Sequence, residues 1–137
     1  LDRAQLDLRD PAQIRTTLQR LKPDVILNCA AYTDVDGAES DRDAAFAINA
    51  EAPALLAHWC REHGTVLVHY STDFVYDGTG STAWLETSPM APLNVYGQSK
   101  LAGDEAVLAS GCKAYVFRTS WVFSEVRKNF VKAILNA

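Results

Sequence analysis

Val25-Ile26-Leu27-Asn28-Cys29-Ala30 is a compact apolar run that follows Pro23-Asp24 and ends in small residues. Such a run reads as a buried strand of a parallel sheet. Before it, Asp10 can cap a helix whose first turn accepts Pro11. Ile14, Leu18 and Leu21 give that helix one apolar stripe. The short piece Leu6-Asp7-Leu8 precedes it. After the run, Asp34 to Asp43 is polar and acidic, and a helical stretch from about Asp43 to His63 is interrupted near Pro53 and closed by Gly64. Phe46, Leu55, Leu56, Trp59 and Cys60 supply its apolar contacts.

Further strands are expected at Thr65-Val66-Leu67-Val68-His69-Tyr70-Ser71 and Ala114-Tyr115-Val116-Phe117-Arg118-Thr119. Between them lies a long loop, Phe74 to Leu93, with the turn signal Asp77-Gly78-Thr79-Gly80. A helix carrying Tyr96 and Lys100 then runs to about Ala109, with Gly111 closing it. Lys128 to Asn136 is expected to be a last helix with Phe130, Val131 and Ile134 buried. Strands alternating with helices in this way indicate parallel βαβ units. The expected fold is α/β, a Rossmann-like doubly wound parallel sheet, present here in part.

The 137 residues suffice for one domain with a core. The apolar fraction of 48% and charged fraction of 22% are ordinary for a globular chain. A net charge of −4 without a basic run points away from nucleic acid and anionic membranes. No apolar stretch approaches the roughly 20 residues of a membrane span. Cys29, Cys60 and Cys112 are isolated, with neither metal spacing nor a disulfide framework, so buried thiols, a cytoplasmic location and no metal are expected. Leu1 in place of an initiator methionine suggests a fragment.

Tyr96 and Lys100 stand four residues apart, on one face of a helix. A lysine beside a phenol stabilises the phenolate, which suits the tyrosine to general acid chemistry. An exposed pair on a solvated face has the same spacing. Other side chains at the predicted strand ends also admit two readings. Ala30-Ala31 leaves room either for a ligand or for tight packing. Ser71-Thr72-Asp73 is either a turn or a hydroxyl set for a carbonyl, in the region where open α/β sheets bind ligands. Trp121 is either a core anchor or a flat wall. His69 and Asn49 read first as structural residues.

Several stretches together are similar to one family. They include Lys22-Pro23-Asp24-Val25-Ile26-Leu27-Asn28, Ala30-Ala31-Tyr32-Thr33-Asp34-Val35-Asp36 and Ser71-Thr72-Asp73-Phe74-Val75. Tyr96-Gly97-Gln98-Ser99-Lys100-Leu101-Ala102-Gly103-Asp104-Glu105 and Arg118-Thr119-Ser120-Trp121-Val122 follow in order. The chain resembles the dTDP-4-dehydrorhamnose reductases, extended short-chain dehydrogenase/reductases. The resemblance implies reduction of the 4-keto group of a dTDP-sugar by NADPH or NADH. Tyr96 would give the proton, Lys100 would bind the nicotinamide ribose, and Thr72 would orient the carbonyl. Asp7 and Leu8 would lie near the adenosine, and Ala30, Ala31 and Thr33 along the cofactor path. Val35, Thr72, Asp73 and Trp121 would contact the sugar. Related epimerases or dehydratases, and a regulatory subunit like that of methionine adenosyltransferase, are the competing readings.

Phe74 stands where the family often has tyrosine, and Ser124 where glycine is common. The family's Gly-rich strand and turn are not seen before Leu6, nor its C-terminal substrate part after Ala137. The expectation is therefore a partial NAD(P)-binding domain over residues 1–137. Its Val25 strand, short of one neighbour, would favour a homodimer or self-association through the sheet edge.

Overall fold

A computed structural model of the chain describes residues 1–126 and 129–135. Helix α1 is Pro11–Leu21; the Asp10 carboxylate accepts from the Ala12 and Gln13 N–H groups, and Lys22, left-handed at φ 44°, closes the helix. Ile14, Thr17 and Leu18 form its buried face. Leu21, expected to extend the stripe, is exposed because the buried face ends one turn earlier.

Strand β1 is Val25–Asn28. A short helix that the acidic composition concealed, α2 at Val35–Ser40, follows; the Asp34 side chain caps it by accepting from the Gly37 N–H. Next come α3 (Arg42–Phe46), a wide π-type turn over Ala47–Glu51, and α4 (Ala52–His63). The interruption expected near Pro53 is this wide turn, in which the Ala52 N–H reaches the Ala47 carbonyl. Pro53 has no N–H to return to Asn49 one turn back, so that carbonyl is freed from the regular helical ladder. Gly64, at φ 71°, ends α4 as expected.

Strand β2 (Val66–Thr72) leads into a single 3-10 turn at Asp73–Val75 and the long loop. Helix α5 spans Val95–Ala109 and β3 Lys113–Thr119. The strands form a parallel sheet in the order β1-β2-β3, with Val25 opposite Val66 and Val66 opposite Lys113. This is the Rossmann-like α/β arrangement.

Ile26, Leu67, Ala114 and Val116 lie on one sheet face, where they pack against Ile14 and Leu18 of α1, Leu56, Trp59 and Cys60 of α4, and Val107 of α5. Successive strand residues point to opposite faces. Val25, Leu27, Tyr70, Tyr115 and Phe117 therefore share the other face, and all are exposed. This corrects the reading of Val25–Ala30 as a buried strand: Val25 is 51% and Leu27 63% exposed. Among the described residues the helical layer covers one face, and β1 is an edge strand.

A last helix, α6, is Phe130–Leu135. Val131 and Ile134, expected to be buried, are exposed, and among the described residues neither joins an apolar cluster of the fold. The expected ends of this helix, Lys128 and Asn136, and the burial of Phe130 lie outside what is described. Among the described residues, no helix is long and apolar enough to cross a membrane.

Candidate active site

The candidate site lies at the carboxyl ends of the three strands, where α5 begins. Asn94 caps α5 by accepting from the Gly97 N–H at 2.7 Å. Two glycines let this helix approach its neighbours. A Cβ on Gly97 would stand 2.3 Å from the Phe74 carbonyl oxygen, and one on Gly103 would stand 2.0 Å from that of Asn49. Both obstacles are backbone atoms, so neither contact could be relieved by a side-chain rotation. The close approach sets Tyr96 against the end of β2, where it lines one cleft with Thr72. The Phe74 ring meets Tyr96 edge-on at 5.6 Å.

Lys100 is only 1% exposed. Its Nζ donates to the Tyr70 carbonyl at 2.6 Å. Burial pulls its pKa below the ordinary lysine value, and the Asp104 carboxylate opposes that pull. Burial also raises the Tyr96 phenol, with the Thr72 hydroxyl acting against it and Asp73 adding to it. The expected lowering of Tyr96 by Lys100 is therefore not found: the ammonium is engaged by the Tyr70 carbonyl, and burial dominates.

Asn49, read as structural, is buried in the wide turn and makes three hydrogen bonds. It accepts from the Tyr32 N–H at 2.9 Å and donates to the Tyr32 carbonyl and Ser99 Oγ, both at 3.0 Å. It thereby ties the chain leaving β1 to α5. Ser120 Oγ donates to Asp73 Oδ2 at 2.7 Å and joins the ends of β2 and β3.

These elements enclose a cleft of about 910 Å³. Of the residues expected at a site, Ala30, Ala31, Thr33, Val35, Thr72, Asp73, Tyr96, Lys100 and Trp121 line it. Asp7 and Leu8 do not. The Asp7 carboxylate is held by Arg9, whose Nη2 lies 2.7 Å away, and Leu8 packs against the main core. Trp121 is 66% exposed and left-handed at φ 50°, so it is a wall of the cleft rather than a core anchor. Cys29, expected to be buried, is exposed and also lines the cleft. Sequence reasoning missed the Tyr70 carbonyl, Ser120, Gly97 and Gly103 as parts of the site. The glycines had one legible signal, their cost inside a helix, which implies a packing reason. Among the described residues, no three His, Cys, Asp or Glu side chains converge as metal ligands.

Comparison with known proteins finds relatives over the length of the chain. The whole chain, residues 1–137, matches the family described as the RmlD substrate binding domain. It is 47% identical over 135 residues to a dTDP-4-dehydrorhamnose reductase of Burkholderia thailandensis, covering 98% of this chain and 45% of the relative. A solved structure of dTDP-4-dehydrorhamnose reductase from Bacillus anthracis in complex with NADP superposes with a TM-score of 0.93 at 38% identity, over 99% of this chain and 48% of that one. One from Clostridium acetobutylicum gives 0.94 at 36% identity, over 99% and 48%. The chain thus spans about half the length of the relatives it matches. With its full length matched, the chain belongs to the RmlD substrate binding domain family.

Proposed function

We propose that this chain carries the cofactor-facing and proton-donating part of an NAD(P)H-dependent reductase of a dTDP-4-keto-6-deoxy sugar. The observation that carries the reading is the meeting of Thr72, Tyr96 and Lys100 in one cleft at the strand ends. The donor set fits a nicotinamide dinucleotide. Only one of the three Lys100 donors is used by a described residue, and Ala30 and Ala31 leave the end of β1 without bulky side chains. The names of the relatives point to the same cofactor and sugar.

A reduced nicotinamide supplies the hydride for the carbonyl carbon. Thr72 and Tyr96, which line the same cleft, hold the carbonyl oxygen between two hydroxyls. Tyr96, protonated at neutral pH and raised further by its burial, gives that oxygen its proton as the alcohol forms. Lys100 offers its remaining donors to ribose hydroxyls and places a positive charge beside the phenol's side of the cleft. Val35, Asp73 and Trp121 contact the sugar, and Trp121 presents its flat face to the ring. Asp7 and Leu8 serve the adenosine end from outside this cleft. Residues 1–137 form part of the NAD(P)-binding domain, and the protein works in the cytoplasm. Copies associate through the β1 edge.

The test is consumption of NADPH or NADH by the full chain with a dTDP-4-keto-6-deoxy sugar, read as stoichiometric alcohol formation. An epimerase or dehydratase would show no net cofactor consumption. A regulatory subunit would show no turnover, and either outcome would replace the reductase reading.

A further inference from the structure

Beneath the cleft, Lys100 joins a buried polar cluster whose members His69, Asp104 and Arg118 the proposed chemistry does not use. Three consecutive residues of β2 meet two residues of α5 that are one turn apart. The Tyr70 carbonyl accepts from Lys100 Nζ at 2.6 Å. Ser71 Oγ donates to Asp104 Oδ2 at 2.7 Å. His69 Nε2 faces Asp104 Oδ1 at 3.7 Å, beyond hydrogen-bond distance, and neither atom has another partner among the described residues. From β3, Arg118 Nε reaches Asp104 Oδ2 at 3.4 Å. His69 and Asp104 have no exposed surface.

The groups around this carboxyl favour its charged form against the pull of burial. The Asn28 amide nitrogen lies 3.0 Å from His69 Nδ1, so Nδ1 accepts and the ring proton sits on Nε2. Arg118 then donates to Asp104, His69 turns its Nε2 hydrogen towards it, and the Ser71 hydroxyl can either donate or accept. Burial raises the Asp104 carboxyl above its ordinary value, and the Ser71 hydrogen bond with the Arg118 and Lys100 charges acts for the ionised form. The other ionised groups of the cluster are Lys100 and Arg118, both cations. Asp104 is the anion between them, and theirs are the only charges among the described residues that act on it. Without it, two cations would remain in a poorly solvated place, where the less basic one loses its proton first.

We propose that Asp104 is a positioning residue for Lys100: its buried carboxylate pins the end of β2 to α5 one turn beyond Lys100 and keeps the Lys100 ammonium charged inside the fold. Charge retention gives Lys100 its donors at the mouth of the cleft. The Ser71 and Arg118 contacts hold the strand end on which Thr72 stands. The inference deepens the reductase reading and rests on it only for the use made of the charge.

The experiment is an NMR titration of Lys100 in the full chain carrying 13C,15N-lysine, with the signal assigned by its loss in Lys100→Arg. Asp104→Asn keeps the size and the Ser71 hydrogen bond while removing the charge. It is expected to lower the Lys100 midpoint by about one pH unit or more. Asp104→Glu should restore part of that shift, and His69→Gln, which removes no charge at neutral pH, should leave the midpoint in place. A parent-like midpoint in Asp104→Asn would overturn the proposal. Should that variant not fold, the parent decides: Lys100 charged at neutral pH supports the role, and Lys100 already neutral there refutes it. NADPH titration alongside separates the two ideas. Binding should fail at lower pH in Asp104→Asn than in the parent. A parent that binds no NADPH would count against the cofactor reading alone, with the Lys100 titration still decisive for Asp104.

Discussion

At Tyr96, the lowering expected from Lys100 gives way to burial, which raises the phenol with Asp73 adding to it. The phenol is therefore a donor held in its protonated form rather than a ready phenolate. Tyr96→Phe keeps the ring against Phe74 and removes only the hydroxyl. Turnover of the keto sugar by the full chain should fall on the order of 10²–10⁴-fold with NADPH affinity little changed. Retention of near-parental turnover would remove Tyr96 from the chemistry. His69 carries a second prediction. Burial, with a smaller push from Lys100, lowers its pKa to about 4 from an ordinary 6.5. The unfolded chain then takes up a proton that the folded chain refuses. Stability is fully present above about pH 6.5 and is lost as pH falls towards about 4, by up to about 3 kcal/mol. Urea denaturation at neutral pH and near pH 4.5 should show a smaller acid loss in His69→Gln than in the parent; equal losses would sink the idea.

Helix α5 reads from the sequence as an ordinary helix with two inconvenient glycines, and the structure gives each a purpose. Gly103 lies where α5 crosses the wide turn, facing the carbonyl that Pro53 leaves out of the helical ladder. Gly103→Ala must push one helix off the other, an overpacking that costs about 1–3 kcal/mol. Its urea midpoint should fall accordingly, and an unchanged midpoint would mean that the crossing yields easily. The cap of α1 offers a contrast far from the cleft. Asp10→Ala leaves two N–H groups of the first turn without their acceptor and should cost about 1 kcal/mol without changing cofactor affinity. A change in affinity would show that α1 reaches the site. The helical period of α1 and α4 was legible because each buries one face of side chains. The wide turn was not, since it depends on a missing N–H and on a partner helix 50 residues away in sequence.

For the whole molecule, the decisive feature is the uncovered sheet face. Val25, Leu27, Tyr70, Tyr115 and Phe117 lie exposed side by side, next to the open edge of β1. An apolar face beside unpaired strand groups favours association. Residues 1–137 alone should sediment as more than a monomer, and Leu27→Lys should shift them towards the monomer at little cost in stability, because Leu27 is already exposed. Monomers for both would remove the association proposal. The reading of Val25–Ala30 as fully buried failed for the same reason: an apolar run records the burial a strand can use, not which faces are covered.

The sequence by itself determined the order of the strands and most helices, the caps at Asp10 and Gly64, and the Tyr96/Lys100 pair, because these follow from local periodicity and fixed spacing. Composition concealed α2, whose helix rests on the Asp34 cap rather than on an apolar stripe. Only the tertiary structure decided that Trp121 is a wall, that Asn49 clamps Tyr32 to α5, and that Asp7 and Leu8 stand apart from the cleft. It alone showed Tyr96 raised and Lys100 turned to a backbone carbonyl. Burial and electrostatic balance depend on residues brought together from distant parts of the chain, and no short stretch contains that information.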